Sequence, residues 1–394
     1  MKKFFTRHRR EIVFIAAVLL AGGAMFLVPG KQPLGERTGR TARAAVLSVD
    51  NSGLTKHGLL LYGSQKLEVD VEGECFTAGN ELRGQMELDK VFSPGDTAVV
   101  VIHPGDRPGK SMLTAQDHYR NFWSFTLFAG FCVLLCLFGG FTGVKALFSF
   151  VFSCIAIWKL VIPLVLRGWP AGVTVFAVVA VLTAVITFLV AGVTKKGVCT
   201  FAGAVSGILA GLLMARVFGK VMHINGAAMP YVQTLLYCGY ETLDIQDLFV
   251  GAMVLACSGA VMDLAMDIAS GVEEVSFRNP ALSKRELVRS GMRIGRSVVG
   301  TMTTTLLLAY SGGYISLLMM FYAQGTRISD FLNSTLVASE LVKTLIGSFS
   351  LVLVAPFTAV ISGWLFGAKG SGRKAVCVSS PLALRIRRFR RCRK

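Results

Sequence analysis

Apolar residues along this chain form long runs that charged residues seldom interrupt. A helix needs about 20 mostly apolar residues to cross the hydrocarbon core of a bilayer. Such runs predict eight membrane-spanning helices, at 12–28, 122–138, 147–166, 171–193, 198–217, 248–269, 297–322 and 341–366. The pattern therefore predicts a mostly α-helical membrane protein with about eight transmembrane helices, the last seven forming a membrane domain over residues 121–367.

The first and seventh runs have features of their own. The first follows a basic start and ends near small residues, as a signal peptide does. Its 17 residues exceed the usual apolar core of a cleaved signal. Residues 1–30 are therefore predicted to be a basic N-terminus with an uncleaved signal-anchor helix, and a cleaved signal is the alternative. Ser311-Gly312-Gly313 interrupts the seventh run, which predicts a break with Gly312 and Gly313 as its hinge.

Residues 41–105, after the first predicted helix, alternate apolar and polar positions in the manner of β-strands. Short runs rich in Val and Leu are separated by turn sequences such as Ser93-Pro94-Gly95-Asp96. The segment is predicted to be a small extracytoplasmic β-barrel or sandwich, with a length that suits an OB-like or SH3-like barrel. It contains no nucleophile–base pair and no phosphate-binding loop, so a scaffold or partner-docking role is favoured over a catalytic one.

Composition agrees with a membrane protein, because 53% of the 394 residues are hydrophobic, 16% are charged and the mean hydropathy is +0.60. A soluble protein would be about 25% charged. The net charge of +18 comes largely from the N-terminus and from the tail 368–394. No aromatic interleaving or binding module accompanies the tail, so it is predicted to bind anionic lipids and not nucleic acid.

Lys and Arg in the short loops predict how the helices are oriented. With the N-terminus inside, the inner segments carry 24 of these residues and the short outer loops carry three. The 11 cations of the long segment 31–121 are not counted, because large translocated segments do not follow this rule. Both termini are therefore predicted to be cytoplasmic.

Small residues recur at helical spacing in the fifth and sixth runs. Gly203, Gly207 and Gly211 are four residues apart, which lets two helices pack closely. The sixth run has a stripe of residues three or four apart, which share one helical face. The stripe consists of Ala252, Ala256, Gly259, Asp263, Asp267 and Ser270. Gly259 is therefore predicted to pack against another helix, and the two aspartates are predicted to point away from lipid.

Asp263 is the least expected residue of the predicted membrane domain. It lies about 9 Å from the cytoplasmic end of its helix, and Asp267 about 3 Å. A charged aspartate near the bilayer centre costs about 3 kcal/mol, so it usually has a partner or a watery cavity. Thr301 and Thr305 of the seventh run could supply hydroxyls to these carboxylates if the two helices pack antiparallel. Two interpretations stay open, namely a proton or cation site formed by these four residues and a structural hydrogen-bonded pair.

Other chemistry finds little support in the sequence. An aspartyl protease needs two carboxylates that face each other and share a proton. Asp263 and Asp267 are instead separated by about 6 Å along one helix axis and point the same way. The chain has no Walker motif, and its nine cysteines include no CxxC pair. No enzyme activity, cofactor or metal site is therefore predicted.

Three stretches of the sequence resemble the YibE/F family of bacterial multi-pass membrane proteins. They are "MELDKVFSPGDTAVVV", "GAVMDLAMDIASGVEE" and "NPALSKRELVRSGMRIGRSVVGTMTTTLLLAYSGG". The resemblance covers nearly the whole chain past residue 41 and implies a fold and a location in a bacterial plasma membrane, but no established reaction. Asp263 matches the family pattern. Ser297 replaces an expected acid, Thr304 replaces an expected amide, and Asp267 stands where a small polar residue is expected.

These features favour a permease-like protein that moves a small solute or ion, with Asp263 as a protonatable or cation-binding group. The alternative is a non-transporting envelope scaffold or regulatory protein whose β domain binds an extracytoplasmic partner protein. A homo-oligomer is compatible with either reading. The identity of the solute does not follow from the sequence.

Overall fold

The computed structural model describes residues 39–86, 88–103 and 111–367, together with Gly23. The predicted helix 12–28 (apart from Gly23) and the tail 368–394 lie outside the described residues. The chain divides into two compact units, and the boundary in the described part falls between Gly143 and Val144.

The first unit is built on six β-strands. Buried and exposed side chains alternate along them, as in β3, where Leu67 and Val69 are buried while Lys66 and Glu68 are exposed. Glu72 and Gly73 join β3 to β4 with positive φ angles of 54° and 92°, the conformation that a two-residue type I′ hairpin requires. The strands are β1 (Arg40–Asp50), β2 (Leu54–His57), β3 (Leu60–Val71), β4 (Glu74–Arg83), β5 (Thr97–Ile102) and β6 (Met112–His118).

The strands close into a barrel in the order β1-β5-β6-β4-β3, because β1 also pairs with β3. Every pairing is antiparallel except that of β4 with β6, which is parallel over Thr77–Gly79 and Met112–Thr114. β2 extends the sheet as a hairpin arm on β3. Five closed strands with one parallel pair are OB-like topology, one of the two barrels that the length suggested. β6 lies beyond the predicted end at residue 105, because its sequence lacks the Val-rich run of the other strands.

A buried amide fixes the loop between β4 and β5 to the barrel. Gln65 donates to the carbonyl of Phe92 at 2.9 Å and accepts the N–H of Phe92 at 3.1 Å. Its side chain also bonds those of Asn51 and Asn80. The Gln65 amide thereby meets its hydrogen-bonding needs inside the core, as a buried polar group must.

Three of the long described helices begin at side-chain caps. The side chains of Thr194, Asp244 and Ser283 each accept a backbone N–H at the first turn of a helix, and Ser283 forms a full capping box with Glu286. The helices are α1 (Asn121–Ala156), α2 (Ile162–Leu166), α3 (Ala171–Val190), α4 (Lys195–Val221), α5 (Val232–Tyr237), α6 (Ile245–Arg278), α7 (Lys284–Gly313), α8 (Ile315–Ala323), α9 (Ile328–Asn333) and α10 (Thr335–Phe366). A π-helical turn, Ile157–Val161, joins α1 to α2.

The described residues contain five or six candidate spans, whereas the sequence predicts seven after residue 40. Five helical stretches are long and apolar enough to cross a membrane, and a sixth results if α7 and α8 count as one bent span. The predicted spans 122–138 and 147–166 fall in the single stretch Asn121–Leu166, in which two helices meet at a kink at Gly140. Only Gly140, with φ 52° and ψ −131°, departs from helical geometry there.

α6 is the central helix of the second unit and packs against α3, α4, α7 and α10. α4 approaches α10 closely along its three predicted packing glycines. A Cβ on Gly203 would lie 2.1 Å from Oγ1 of Thr358, and one on Gly211 would lie 2.1 Å from Oγ of Ser350. Gly207 is also tight, with Val354 2.8 Å from its Cβ position. Only glycine allows this separation of the two helices.

Candidate functional site

The small-residue stripe of α6 lies on the face that the neighbouring helices leave uncovered. Leu264 and Ile268, on the other side of α6, are fully buried, whereas Asp263 and Asp267 are exposed. The expectation that both aspartates point inward is therefore wrong for the described helices. Between Phe249 and Ser270, α6 has no other charged residues, and the side with the larger Val, Leu and Ile residues gains more from burial. We call the exposed stripe the open face of α6, defined as Ala252, Ala256, Gly259, Asp263 and Asp267.

α7 runs antiparallel to α6 and carries hydroxyl groups beside this face. The two helices meet where Ile294 packs on Gly271, whose Cβ position is 2.6 Å from Cδ1 of Ile294. Thr301 is seven residues beyond that contact and Asp263 eight residues before it. At 1.5 Å per residue, they lie about 10 Å and about 12 Å from the contact, and so at nearly the same height. Ser297, Thr301 and Thr305 share the helical side of Ile294, and we call them the hydroxyl line of α7.

The hydroxyl line does not bond the carboxylates. Thr301 donates to the carbonyl of Val298 at 2.9 Å, and Thr305 donates to the carbonyl of Thr301 at 3.0 Å. Ser297 likewise bonds a carbonyl of its own helix. Neither Asp263 nor Asp267 has a hydrogen-bond or ion-pair partner among the described residues. The predicted bonds between threonine and aspartate are therefore absent, and a proton- or cation-binding role for these four residues stays a prediction.

Gly259 does not pack in the way that was predicted. No atom lies within 4 Å of its Cβ position, and the same is true of Gly300 on α7. Among the described residues, the three glycines of α4 therefore meet another helix while Gly259 meets none.

The predicted break in the seventh run is present. α7 ends at Gly313, α8 begins at Ile315, and their axes differ by 64°. Gly312 and Gly313 have no atom within 4 Å of their Cβ positions, so neither is held by close packing. The bend lies at the end of the helix that carries the hydroxyl line, two to three turns beyond Thr305. Its use as a hinge stays a prediction.

A second cluster of polar residues, which the sequence did not predict, joins α3, α4 and α6. Arg216 pairs with Asp247 at 3.1 Å, and Asp247 also accepts the backbone N–H of Gly172 at 2.9 Å. The Asp247 side chain is 14% exposed and that of Arg216 45%. Trp169 and Asp244 help to line a cavity of about 330 Å³ beside the pair. The sequence contains a signal for this pair, since Arg216 and Asp247 lie at the same predicted side of the membrane, at the ends of two successive apolar runs.

Metal chemistry has no visible site in the described part of the chain. Its residues contain no group of three or more His, Cys, Asp or Glu side chains that could hold a metal ion. The open face of α6 offers two carboxylates and the Arg216 pair offers one carboxylate with an arginine. These arrangements can hold a proton or bind an ion reversibly, but they contain no nucleophile–base pair.

Comparison with known proteins connects the second unit to a family. The model for the YibE/F-like protein family matches residues 127–368, which contain the whole of α2 to α10. The β-barrel precedes the matched residues, so the resemblance predicted from residue 41 onward is supported over the helices. No curated protein and no solved structure matches the chain. Because the match covers more than half of the sequence, the chain belongs to the YibE/F family.

Proposed function

We propose that this protein is a permease-like component of a bacterial plasma membrane that moves a small solute or ion. Asp263 is its protonatable or cation-binding group, and Asp267 and the hydroxyl line of α7 assist it. The observation that carries the proposal is the carboxylate of Asp263, which has no partner among the described residues and lies level with Thr301 in a stretch of α6, Phe249–Ser270, whose only other charged residue is Asp267. Intramembrane acids of this kind commonly mark ion or proton pathways, because an idle charge there costs about 3 kcal/mol.

The bend between α7 and α8 supports the same function. Transporters often use discontinuous helices, whose broken ends expose backbone groups to an ion or solute. In this chain, the helix with the 64° bend also carries Thr301 and Thr305. Movement at the bend would shift the hydroxyl line relative to Asp263.

The proposed orientation places both termini in the cytoplasm and the β-barrel outside. With that orientation, Asp263 lies nearer the cytoplasmic surface, so protons or cations reach it more easily from inside. Opening at Gly312 and Gly313 would then control access from the opposite side.

Flux through reconstituted protein tests the proposal. Full-length protein in liposomes with an entrapped pH dye is given a pH gradient, then Na⁺, K⁺, Mg²⁺ and Ca²⁺ in separate experiments. We expect the wild type to dissipate the gradient and Asp263→Asn to lose most of the flux while it still inserts and folds. Glu274→Gln is the matched control, because Glu274 lies on the same helix but pairs with Arg278 at its end.

The main alternative, an envelope scaffold, is favoured by a cleft in the β-barrel. β4 and β6 pair over only three residues, and beyond them lies a cleft of about 600 Å³. Its lining mixes acids, such as Glu81 and Asp89, with Arg83 and the apolar Met112. Mixed charge of this kind suits a protein partner better than nucleic acid, which prefers a uniformly basic surface.

Transport and anchoring predict different results in the same experiment. If wild-type protein moves neither protons nor any tested cation, and Asp263→Asn only lowers its melting temperature, the scaffold role is the better one. Cross-linking on the β-barrel with a reagent that reacts with Lys90, in the wall of the cleft, would then identify the partner.

A further inference from the structure

A groove between the first turn of α7 and the last turns of α10 has the chemistry of a lipid-headgroup site. It has a volume of about 380 Å³ and is lined by Lys284, Arg285, Val288, Val360 and Trp364. We infer that this groove binds an anionic phospholipid, with the phosphate between the two cations and the upper part of an acyl chain against the apolar residues. The inference requires that the protein lies in a membrane, but it does not require transport.

Close packing of the two helices forms the groove. The backbone nitrogen of Val288 is 2.8 Å from the Cβ position of Gly363, and Cα of Lys284 is 3.0 Å from that of Gly367. The helices therefore meet along small residues, and their larger side chains flank the contact. Trp364 is 66% exposed and Val360 45%. An open apolar wall thus lies directly beside the cations at the start of α7.

The ammonium group of Lys284 is held in place by an aromatic ring. Its Nζ lies 4.7 Å from the ring centroid of Trp364, in a cation–π contact. Because an ammonium has three N–H groups and the ring covers only one side of it, the group can still donate to a phosphate. Arg285 is exposed on the same turn and can bond a phosphate with two N–H groups. The groove therefore presents positive charge next to an apolar wall, which matches a phosphate joined to acyl chains.

Nearby acids do not balance the positive charge. Residues 284–296 contain five cations and one acid, Glu286, which is engaged in the capping box of α7. The two acids near the end of α6 are paired with Lys196 and Arg278. Arg285 forms no ion pair with another described residue. An anionic ligand in the groove would therefore gain attraction without displacing an acid of the protein.

The groove lies at the depth of lipid headgroups. The ion pair of Lys196 with Glu273 lies where the mostly apolar parts of α4 and α6 end. The neighbouring Val272 packs on α7, with Cγ2 3.0 Å from the Cβ position of Gly291. Val288 is three residues nearer the start of α7, which is about 4.5 Å further from the apolar layer. Since the polar layer of one leaflet is about 5–8 Å thick, the groove falls within it.

Other occupants fit the groove less well. The tail 368–394 follows α10 in the sequence, but it carries ten cations and no acid, so like charge disfavours it. A second copy of α7 would bring the same cations. A soluble anion would leave Trp364 and Val360 uncovered, whereas a phospholipid covers them. Basic pockets between membrane helices on the cytoplasmic side bind acidic headgroups, and the groove is on the side that is predicted to be cytoplasmic.

Fluorescence quenching by brominated phospholipids tests the site. The chain has four tryptophans, so Trp123→Phe, Trp158→Phe and Trp169→Phe leave Trp364 as the only one. Full-length protein in detergent micelles is titrated with brominated phosphatidylglycerol, which is anionic, and with brominated phosphatidylcholine, which has no net charge. We expect half-maximal quenching at a severalfold lower fraction of phosphatidylglycerol than of phosphatidylcholine.

Paired variants separate a specific site from general attraction to a basic surface. Lys284→Gln/Arg285→Gln should abolish the preference for phosphatidylglycerol. Lys284→Arg/Arg285→Lys keeps both charges and should keep most of the preference, which shows that the loss is not caused by misfolding. Arg289→Gln/Arg293→Gln is the matched control and should change the preference little. It removes the same charge from exposed positions of the same helix that do not line the groove.

The inference is overturned if the two lipids quench Trp364 at equal fractions, or if the control variant removes the preference as fully as Lys284→Gln/Arg285→Gln does. Displacement of brominated phosphatidylglycerol by inorganic phosphate would also overturn it, because the groove would then bind a soluble anion. Displacement by poly-glutamate would do the same in favour of an acidic peptide. None of these measurements depends on flux, so this inference and the proposed function can fail separately.

Discussion

Arg216 of α4 and Asp247 of α6 form an ion pair at 3.1 Å, and the same carboxylate accepts the N–H of Gly172 at the start of α3. One side chain, Asp247, therefore connects three helices at one end of the bundle. The partial burial of Asp247 strengthens the pair, while the 45% exposure of Arg216 weakens it through solvent.

A double-mutant cycle measures this connection. We expect Arg216→Gln and Asp247→Asn to couple by about 1 kcal/mol, between the values for exposed and buried pairs. The measurement is thermal or denaturant unfolding of the four proteins in detergent. The exposed pair of Glu274 and Arg278 serves as the control and should couple by less than about 0.5 kcal/mol. Equal coupling in the two cycles would show that Asp247 does not connect the helices energetically.

The close approach of α4 to α10 makes a prediction of its own. Gly203→Ala places a methyl group 2.1 Å from Oγ1 of Thr358, so the helices must separate. We expect a loss of about 1–3 kcal/mol in stability, as for other overpacked cores. Gly300→Ala is the matched control, because nothing lies within 4 Å of its Cβ position. That substitution should stabilise α7 by up to about 1 kcal/mol through helix propensity. Similar melting temperatures for both variants would contradict the tight contact.

Much of the helical unit could be predicted because its signals are local. Hydropathy located α3, α4, α6 and α10, and the spacing of Gly203, Gly207 and Gly211 indicated a close helix contact that the structure places against α10. The break before α8 followed from a Ser-Gly-Gly sequence. Each of these signals depends on a few neighbouring residues, so tertiary packing could not reverse it.

The direction of Asp263 could not be predicted in the same way. A helix that is apolar on both sides does not reveal from its own sequence which side its neighbours cover. Leu264 and Ile268 bury more apolar area than the stripe of alanine and glycine, so the described helices cover them first. The pair of Arg216 and Asp247 was not predicted, because the two residues are 31 positions apart in the sequence. The only signal for the pair was that both residues lie at the same predicted membrane side, at the ends of two successive apolar runs.

Acid should weaken the β-barrel through Asp89. The backbone N–H of Arg83 donates to the Asp89 carboxylate, as does that of Gln85, and these bonds hold its pKa below the usual value of 3.8. Because the folded pKa is the lower one, the ionised group stabilises the fold above the unfolded pKa, and this contribution is lost as pH falls through the folded pKa. We expect stability to fall below about pH 4 for this reason.

Asp89→Asn tests that dependence. The variant should be less stable than wild type at pH 7 and should lose less stability on acidification, because position 89 no longer titrates. Unfolding followed by far-ultraviolet circular dichroism between pH 7 and pH 2 measures both effects. Glu74→Gln is the control, since Glu74 is an exposed acid at the start of β4 with no such bonds described. Identical acid profiles for wild type and Asp89→Asn would refute the role of Asp89.

The bend between α7 and α8 gives the last prediction. Gly312 and Gly313 have open space around their Cβ positions, so alanine fits at both without a clash. Each alanine favours helix over glycine by about 1 kcal/mol, which resists any motion that needs local unwinding. We therefore expect Gly312→Ala/Gly313→Ala to raise the melting temperature and to slow flux. Gly300→Ala, on the same helix but away from the bend, should raise the melting temperature without slowing flux. Equal flux in both variants would mean that the bend is fixed, and the path past Asp263 would then have to open elsewhere.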